Sequence, residues 1–139
     1  MSEEQDIVAL IKANFDAFGA GSADGMRVMD HPDGTIWDVF LPDLIVGPGG
    51  RAEFRRGDIE QSKKRGKLVL TIDDPIVDVW DGTALARYYL RFNYDPPNAT
   101  SGFVRISDVY RNIGGKWLRM HHHEGMVPTG VPPITEPAP

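Results

Sequence analysis

The chain has 139 residues, no cysteine and a formal net charge of -5, with 41% hydrophobic and 25% charged residues. These values are typical of one globular domain, and they exclude disulfide frameworks, thiolate chemistry and cysteine-based zinc sites. The acidic balance argues against nucleic-acid binding, because no net positive field is available to displace counterions. An acidic N-terminus and the absence of a long apolar run predict no signal peptide, no membrane span and a cytoplasmic location.

Three helices are predicted in the first half of the chain. Apolar residues at spacings of three and four between Glu4 and Phe18 predict an amphipathic helix, and Asn14 falls on its apolar stripe. Ser22 is a suitable N-cap for a short second helix, which His31-Pro32-Asp33-Gly34 would end. A charged helix is predicted from Arg51 to Arg65.

Most of the remaining chain is predicted to form strands. Thr35 to Phe40 is rich in β-branched and aromatic residues, and a loop from Pro42 to Gly50 follows it. The later strands are predicted at Lys67–Ile72, Ile76–Trp80, Thr83–Tyr94, Phe103–Asn112 and Lys116–Glu124, with Asp81-Gly82 and Gly114-Gly115 as hairpin turns. The domain is predicted to cover residues 1–128, and residues 129–139 form an extended Pro-rich tail.

Helices followed by antiparallel strands predict an α+β fold. Long antiparallel strands curl, so we expect a cone-shaped, curved antiparallel β-sheet, a half-barrel that wraps on the N-terminal helices and encloses a pocket. Such a cavity is the usual binding site of a small hydrophobic molecule. In the strand from Thr83 to Tyr94, alternation predicts that Tyr88, Leu90 and Phe92 share one face.

Two aspartates lie within predicted strands, where aspartate is disfavoured. Asp38 follows Trp37, and it either faces the pocket or lies on the wet face and caps the next turn. Asp108 faces His121 if Gly114-Gly115 is a two-residue turn, and this pairing would raise the pKa of His121 and suit a general acid–base pair. A three-residue turn would shift the register, and a surface ion pair of little energetic weight is the alternative.

The run His121-His122-His123 holds three of the four histidines. In a strand, His121 and His123 share one face and His122 points to the other. Two histidines with this spacing can contribute to a metal site, but no third ligand is evident from the sequence. We therefore predict no metal and no cofactor, and expect these rings to pack in the pocket or at an interface.

The closing hairpin resembles a known family. Gly114-Gly115-Lys116-Trp117 and the following residues to Glu124 are similar to the "G-K-W-x-x-x-H-x-H-x-S" ending of the SnoaL-like, or nuclear transport factor 2-like, superfamily, with Glu124 where serine is usual. The association domain of calcium/calmodulin-dependent kinase has a similar ending. The resemblance implies a cone-shaped α+β barrel with a deep pocket, usually dimeric, in a group that includes ketosteroid isomerase, polyketide cyclases and non-enzymes.

Two further stretches resemble ketosteroid isomerase. Asp33 to Asp38 is similar to its "D-A-T-V-E-D", which implies that Asp38 is a general base. Asp108 to Arg111 is similar to its "D-V-M-R", which implies that Asp108 is a protonated oxyanion-hole donor. Asn14 aligns with the oxyanion-hole tyrosine, and an amide is a far less acidic donor than a phenol.

These observations predict cofactor-independent proton transfer, of the isomerase, cyclase or dehydratase type, on a small hydrophobic carbonyl compound. Asp38 would abstract a proton, and Asp108 with His121 or Asn14 would stabilise the enolate oxygen. The residues expected to contact the ligand are Asn14, Trp37, Phe40, Tyr88, Tyr110 and His123. The alternative is a non-catalytic ligand-binding or oligomeric association module. A homodimer is expected in either case.

Overall fold

The structure is a computed structural model that describes residues 1–20, 29–128 and 130. Its elements, in chain order, are α1 (Glu3–Gly19), β1 (Met29–Trp37), β2 (Ile45–Val46), α2 (Gly47–Ser62), β3 (Leu68–Ile72), β4 (Ile76–Trp80), β5 (Thr83–Tyr94), β6 (Thr100–Ile113) and β7 (Lys116–Met126). The short helix predicted after Ser22 lies outside the described residues. In the described part of the chain, neither helix has the length and apolar character needed to cross a membrane.

The strands form one curved, unclosed sheet in the order β2-β1-β7-β6-β5-β3, and β4 pairs with β5. All pairs are antiparallel except β1 with β7, which is parallel. The predicted α+β class with a curved sheet and N-terminal helices is therefore confirmed. The concave face of this sheet and the two helices position the candidate site described below.

Helix α1 packs its apolar stripe on the sheet. Ser2 caps the helix reciprocally with Gln5, which satisfies two backbone N–H groups that would otherwise lack partners. Ile7 and Ile11 are almost completely buried. The prediction that Tyr88, Leu90 and Phe92 share a face is confirmed, because alternate residues of β5 and β6 form the core with these two isoleucines.

Several boundaries differ from the predictions. β1 begins at Met29 and ends at Trp37, so Asp38 lies just after the strand and not within it. Residues 31–34, predicted to break a helix, lie inside β1, where the pairing with β7 is irregular between Asp30 and Thr35. The predicted loop from Pro42 to Gly50 contains β2 and the first turn of α2, because a proline fits the first turn of a helix, where no N–H is needed.

A β-bulge in the last hairpin changes which side chains face inward. The turn at Gly114-Gly115 pairs Ile113 with Lys116 as predicted, and this register continues to the pair of Tyr110 with Arg119. The next pair is shifted by one residue, because Val109 pairs with His121. Met120 is therefore an extra residue without a partner on β6, and Asp108 pairs with His122. The predicted pairing of Asp108 with His121 is wrong, because one inserted residue reverses the facing of every later side chain on β7.

Candidate functional site

A cavity of about 870 Å³ lies between the concave face of the sheet, the two helices and the segment after β1. Most of its wall is apolar, with contributions from Phe15 of α1, Phe54 of α2, and Leu70, Leu90 and Phe92 of the sheet. Polar groups are a minority on this wall. They include Asn14, Asp38, Asp58, Arg119, His122 and Glu124. A largely apolar cavity with a few converging polar groups is typical of a small-molecule site.

A buried carboxylate lies behind the polar part of the wall. Asp108 has no exposed surface. One of its oxygens, Oδ2, accepts hydrogen bonds from the hydroxyl groups of Tyr88 (2.7 Å) and Tyr110 (3.1 Å). The other, Oδ1, lies 2.5 Å from Nδ1 of His122. Burial alone would raise the pKa of Asp108, but the nearby charges and hydrogen bonds of His122 and Arg119 outweigh burial and lower it.

His122 joins this carboxylate to the cavity. Its Nδ1–H donates to Asp108, and its Nε2–H donates to Oε2 of Glu124 at 3.1 Å. Burial and the Arg119 guanidinium disfavour a charged imidazole, but the two carboxylates outweigh them and raise the pKa of His122 to about 9. His122 is thus an imidazolium at neutral pH, with an acceptor for each of its two N–H groups.

Arg119 adds a second buried cation to this wall. Its Nε and Nη2 donate to the two carboxylate oxygens of Asp30, at 2.7 and 3.2 Å. Its Nη1 also lies 3.2 Å from Nδ1 of His122. Both nitrogens carry hydrogens in the charged forms, so we assign the Nδ1–H of His122 to Asp108 rather than to this contact. Arg119 is therefore neutralised by Asp30 from β1.

Asp38 and Glu124 form a carboxyl pair at the cavity surface. The backbone N–H of Phe40 donates to Asp38 (2.9 Å), and that of Val39 donates to Glu124 (3.1 Å). Burial, a hydrogen bond to Glu124 and the charge of Glu124 raise the pKa of Asp38 to about 7. Burial opposes ionisation of Glu124 too, but His122 and the hydrogen bond from Asp38 lower its pKa to about 2. One proton is therefore shared by the pair, and it resides on Asp38.

A third carboxyl group faces the same cavity from α2. The pKa of Asp58 is raised, mainly by burial and also by the charge of Glu124, while Arg65 acts in the opposite direction. The Arg65 guanidinium lies over the rings of Tyr94 (4.6 Å to the centroid) and Phe40 (5.6 Å). Helix α2 thus adds an acidic group to the cavity, and the segment that follows it adds a basic one, opposite the sheet.

The structure brings together only some of the residues predicted for the site. Asn14, Asp38 and Phe40 line the cavity. Asp108, Tyr88 and Tyr110 are buried next to the cavity wall but are not part of its lining. The resemblance implied a protonated Asp108, whereas its lowered pKa corresponds to a carboxylate paired with His122.

The remaining predicted site residues lie on the outer face of the sheet. His121 Nδ1 is 2.7 Å from the hydroxyl oxygen of Thr35, and the ring of His123 packs 6.5 Å from that of Trp37. None of His121, His123 and Trp37 lines the cavity. For the two histidines the bulge is the physical reason, because it brings His122 and Glu124 inward and turns His121 and His123 outward. Trp37 pairs with His123 in the sheet and therefore lies on the same outer face.

Sequence reasoning missed four functional groups of this site, which are His122, Glu124, Arg119 and Asp58. Glu124 was visible only as a departure from the usual serine of the closing motif. Within the described ranges 1–20, 29–128 and 130, no group of three or more His, Asp or Glu side chains is arranged to hold a metal ion. The site is therefore best described as a proton-carrying carboxyl pair in an apolar cavity.

No protein-family model matches the sequence, and no curated protein matches it significantly. Solved structures do match it. A nuclear transport factor 2-like (NTF2-like) superfamily protein from Salmonella enterica has a TM-score of 0.75 and 20% identity over 95% of this chain and 96% of that one. A proposed dehydratase of the NTF2-like family from Streptomyces avermitilis has a TM-score of 0.74 and 16% identity over 91% and 97%.

The association domain of the C. elegans calcium/calmodulin-dependent kinase II is also similar, with a TM-score of 0.68 and 21% identity over 89% of this chain and 95% of that one. At these identities the similarity establishes the fold, and function has to be argued from the site. The resemblance to this superfamily is thereby confirmed at the level of the fold. The chain has the fold of the NTF2-like superfamily, which the kinase association domains share.

Proposed function

We propose that the protein is an enzyme that transfers protons, without a cofactor, on a small apolar carbonyl compound held in the cavity. The observation that carries this proposal is the carboxyl pair of Asp38 and Glu124 on an otherwise apolar wall. General acid–base catalysis is most effective when the pKa of the catalytic group lies near the working pH. Asp38, with a pKa of about 7, meets this condition.

In the proposed reaction, the ionised form of Asp38, which a pKa of about 7 makes well populated at neutral pH, accepts a proton from the carbon next to the carbonyl group and returns it at another position. Glu124 stays ionised, and its charge beside Asp38 increases the proton affinity of Asp38. Asn14 lines the same cavity and supplies an amide that donates to the carbonyl oxygen. The role predicted for Asp108 at that oxygen is not kept, because Asp108 does not line the cavity. The similarity in fold to the proposed dehydratase supports proton-transfer chemistry of this kind.

Ligand binding in the cavity is tested by thermal-shift measurements with small cyclic ketones and phenols. A ligand at one hundred times its Kd adds about 2.7 kcal/mol of stability, which is a rise of several degrees for a chain of this length. Leu70 faces the cavity, whereas its neighbour Val69 is exposed on the other face of β3. We expect Leu70→Trp to weaken the shift by occupying part of the cavity, and Val69→Trp to retain it. An equal shift in both variants would place the ligand elsewhere.

A second candidate function is assembly, and it is favoured by the outer face of the sheet. Tyr89 stacks on Phe103 there, the Arg91 guanidinium covers the ring of Phe103, and Trp37 is also exposed on this face. A face with exposed aromatic rings among charged side chains is a candidate interface, and we propose that two copies of the chain pair through it as a homodimer. Light scattering tests this, since Tyr89→Glu should give monomers. A wild-type protein that is monomeric at high micromolar concentration would reject the assembly function and leave the enzyme proposal intact.

A further inference from the structure

A layer of buried polar side chains lies behind the cavity wall, and the proposed proton transfer does not use it directly. Asp108, Tyr88 and Tyr110 are each at most 5% exposed. Burial and the charge of Asp108 raise the pKa of both tyrosines well above 10, so their hydroxyl groups remain protonated and donate. A carboxylate this deeply buried is costly unless each oxygen has donors, and here both oxygens do.

The two oxygens of Asp108 have different partners. Both tyrosines donate to Oδ2, which leaves Oδ1 to His122. This arrangement fixes the plane of the carboxylate and the direction of the Nδ1–H bond. The imidazole ring is rigid, so its Nε2–H is then directed at Glu124.

We propose that Asp108, Tyr88 and Tyr110 are positioning residues that act through His122 to keep the cavity proton on Asp38 rather than on Glu124. This inference deepens the proposed function and rests on it for its catalytic meaning. Its test reads the protonation of the side chains without any substrate, so the two proposals can fail separately.

The argument follows from the donors that each carboxyl group receives. Glu124 accepts from the Val39 N–H and from the His122 imidazolium, whereas Asp38 accepts from the neutral Phe40 N–H. A charged donor stabilises a carboxylate more than a neutral one does, so the negative charge settles on Glu124. His122 remains charged because Asp108 balances it from the other side.

The titratable groups around His122 come from three strands and from the segment after β1. Asp108 and the Tyr110 hydroxyl lie on β6, Arg119 and Glu124 on β7, and Tyr88 on β5. Asp38, after β1, is hydrogen-bonded to Glu124, which also accepts from His122. Arg119 disfavours the imidazolium and is itself paired with Asp30. Of these groups, Asp108 is the main cause of the charge on His122.

The experiment is a carbon and nitrogen NMR titration of Asp38, Glu124 and His122 between pH 4 and 10. In the wild type, Asp38 should titrate near 7 and His122 near 9. In Asp108→Asn, the His122 midpoint should fall by about one unit or more, since an opposite charge is lost. Glu124 should then take up part of the proton that Asp38 holds in the wild type. Unchanged curves for both carboxyl groups in a folded Asp108→Asn protein would overturn the proposal.

If Asp108→Asn does not fold, the same titration is carried out on the milder variant Tyr110→Phe. Tyr110→Phe removes one donor from Asp108 and leaves all charges in place, which makes Asp108 a stronger acceptor. The Nδ1 proton of His122 should then move to lower field. Tyr89→Phe, on the outer face of the same sheet, should leave it unmoved. If Tyr110→Phe alters stability alone and neither the His122 proton nor the Asp38 titration moves, the tyrosine is structural and the proposal is wrong.

Discussion

The stability of the fold should fall as the pH rises from about 7 to about 9, because the folded protein keeps the proton of His122 over most of this range whereas the unfolded chain has already released it. The pKa of His122 is raised to about 9 in the folded protein, against 6.5 for an ordinary histidine. The folded state therefore binds a proton that the unfolded state releases near pH 6.5. The contribution of this proton to the free energy of unfolding is fully present below pH 6.5, and it is lost as the pH rises through about 9.

The size of the effect follows from the shift. A difference of about 2.5 pKa units, at ~1.4 kcal/mol per unit, corresponds to roughly 3 kcal/mol in the free energy of unfolding. For a chain of this length that is a fall of about 10 °C in Tm. Asp38 also lowers stability as the pH rises, since its pKa is raised, but its contribution is confined to pH values between 3.8 and about 7. Measurements from pH 7 to 9.5 therefore isolate His122.

The assay is urea unfolding followed by circular dichroism at half-unit steps across this range. His122→Gln should be less stable than the wild type at pH 7 and nearly constant in stability up to pH 9.5. His123→Gln is the matched control, because its side chain is exposed on the outer face and should leave the wild-type fall in place. The reasoning would be refuted if His122→Gln retained the full fall, or if His123→Gln removed it.

Two further predictions concern stability at a single pH. Asp108→Ala removes the carboxylate that faces the His122 imidazolium and should cost about 3–5 kcal/mol in urea unfolding. Asp78→Ala breaks a half-exposed ion pair with Arg87 and should cost less than about 1 kcal/mol. Similar losses in the two variants would contradict the burial of Asp108. Gly102→Ala places a Cβ 2.6 Å from the Phe92 ring and should lower the free energy of unfolding by about 1–3 kcal/mol. Gly57→Ala has open space in α2 and should raise it by up to about 1 kcal/mol. A Gly102→Ala protein as stable as the wild type would show that the contact with Phe92 is absent.

Elements specified by local patterns were predictable from the sequence. The apolar stripe of α1 and the Asp81-Gly82 hairpin between β4 and β5 are formed by residues that lie close together in the sequence, so the local pattern is enough to predict them. The two-residue strand β2 was not predictable, because its pairing with β1 depends on the path of the whole segment between them. The start of α2 was missed because Gly-Pro-Gly-Gly is typical of a loop, and Pro48 here lies in the first helical turn.

Which side chains face the cavity depends on a shift of one residue in the register between β6 and β7. The residue pattern singled out Asp38 and Asn14 as unusual polar positions, the resemblance to ketosteroid isomerase implied that they face the pocket, and they line the cavity. The inward facing of His122 and Glu124 follows from the bulge at Met120, which sequence alternation alone does not indicate. A strict two-residue period therefore assigned His121 and His123 to the face that His122 and Glu124 occupy.

The most direct test of the proposed function is hydrogen–deuterium exchange on a bound ketone. A cyclic ketone that stabilises the protein is incubated with it in D₂O, and loss of the C–H signals next to the carbonyl is followed by NMR. The wild type should accelerate this exchange, and Asp38→Asn should reduce the acceleration by about 10²–10⁴-fold, the usual contribution of a general base. Asp43→Asn, a change of the same type on another lining residue, should retain it. Equal exchange rates in the wild type and Asp38→Asn would contradict the account.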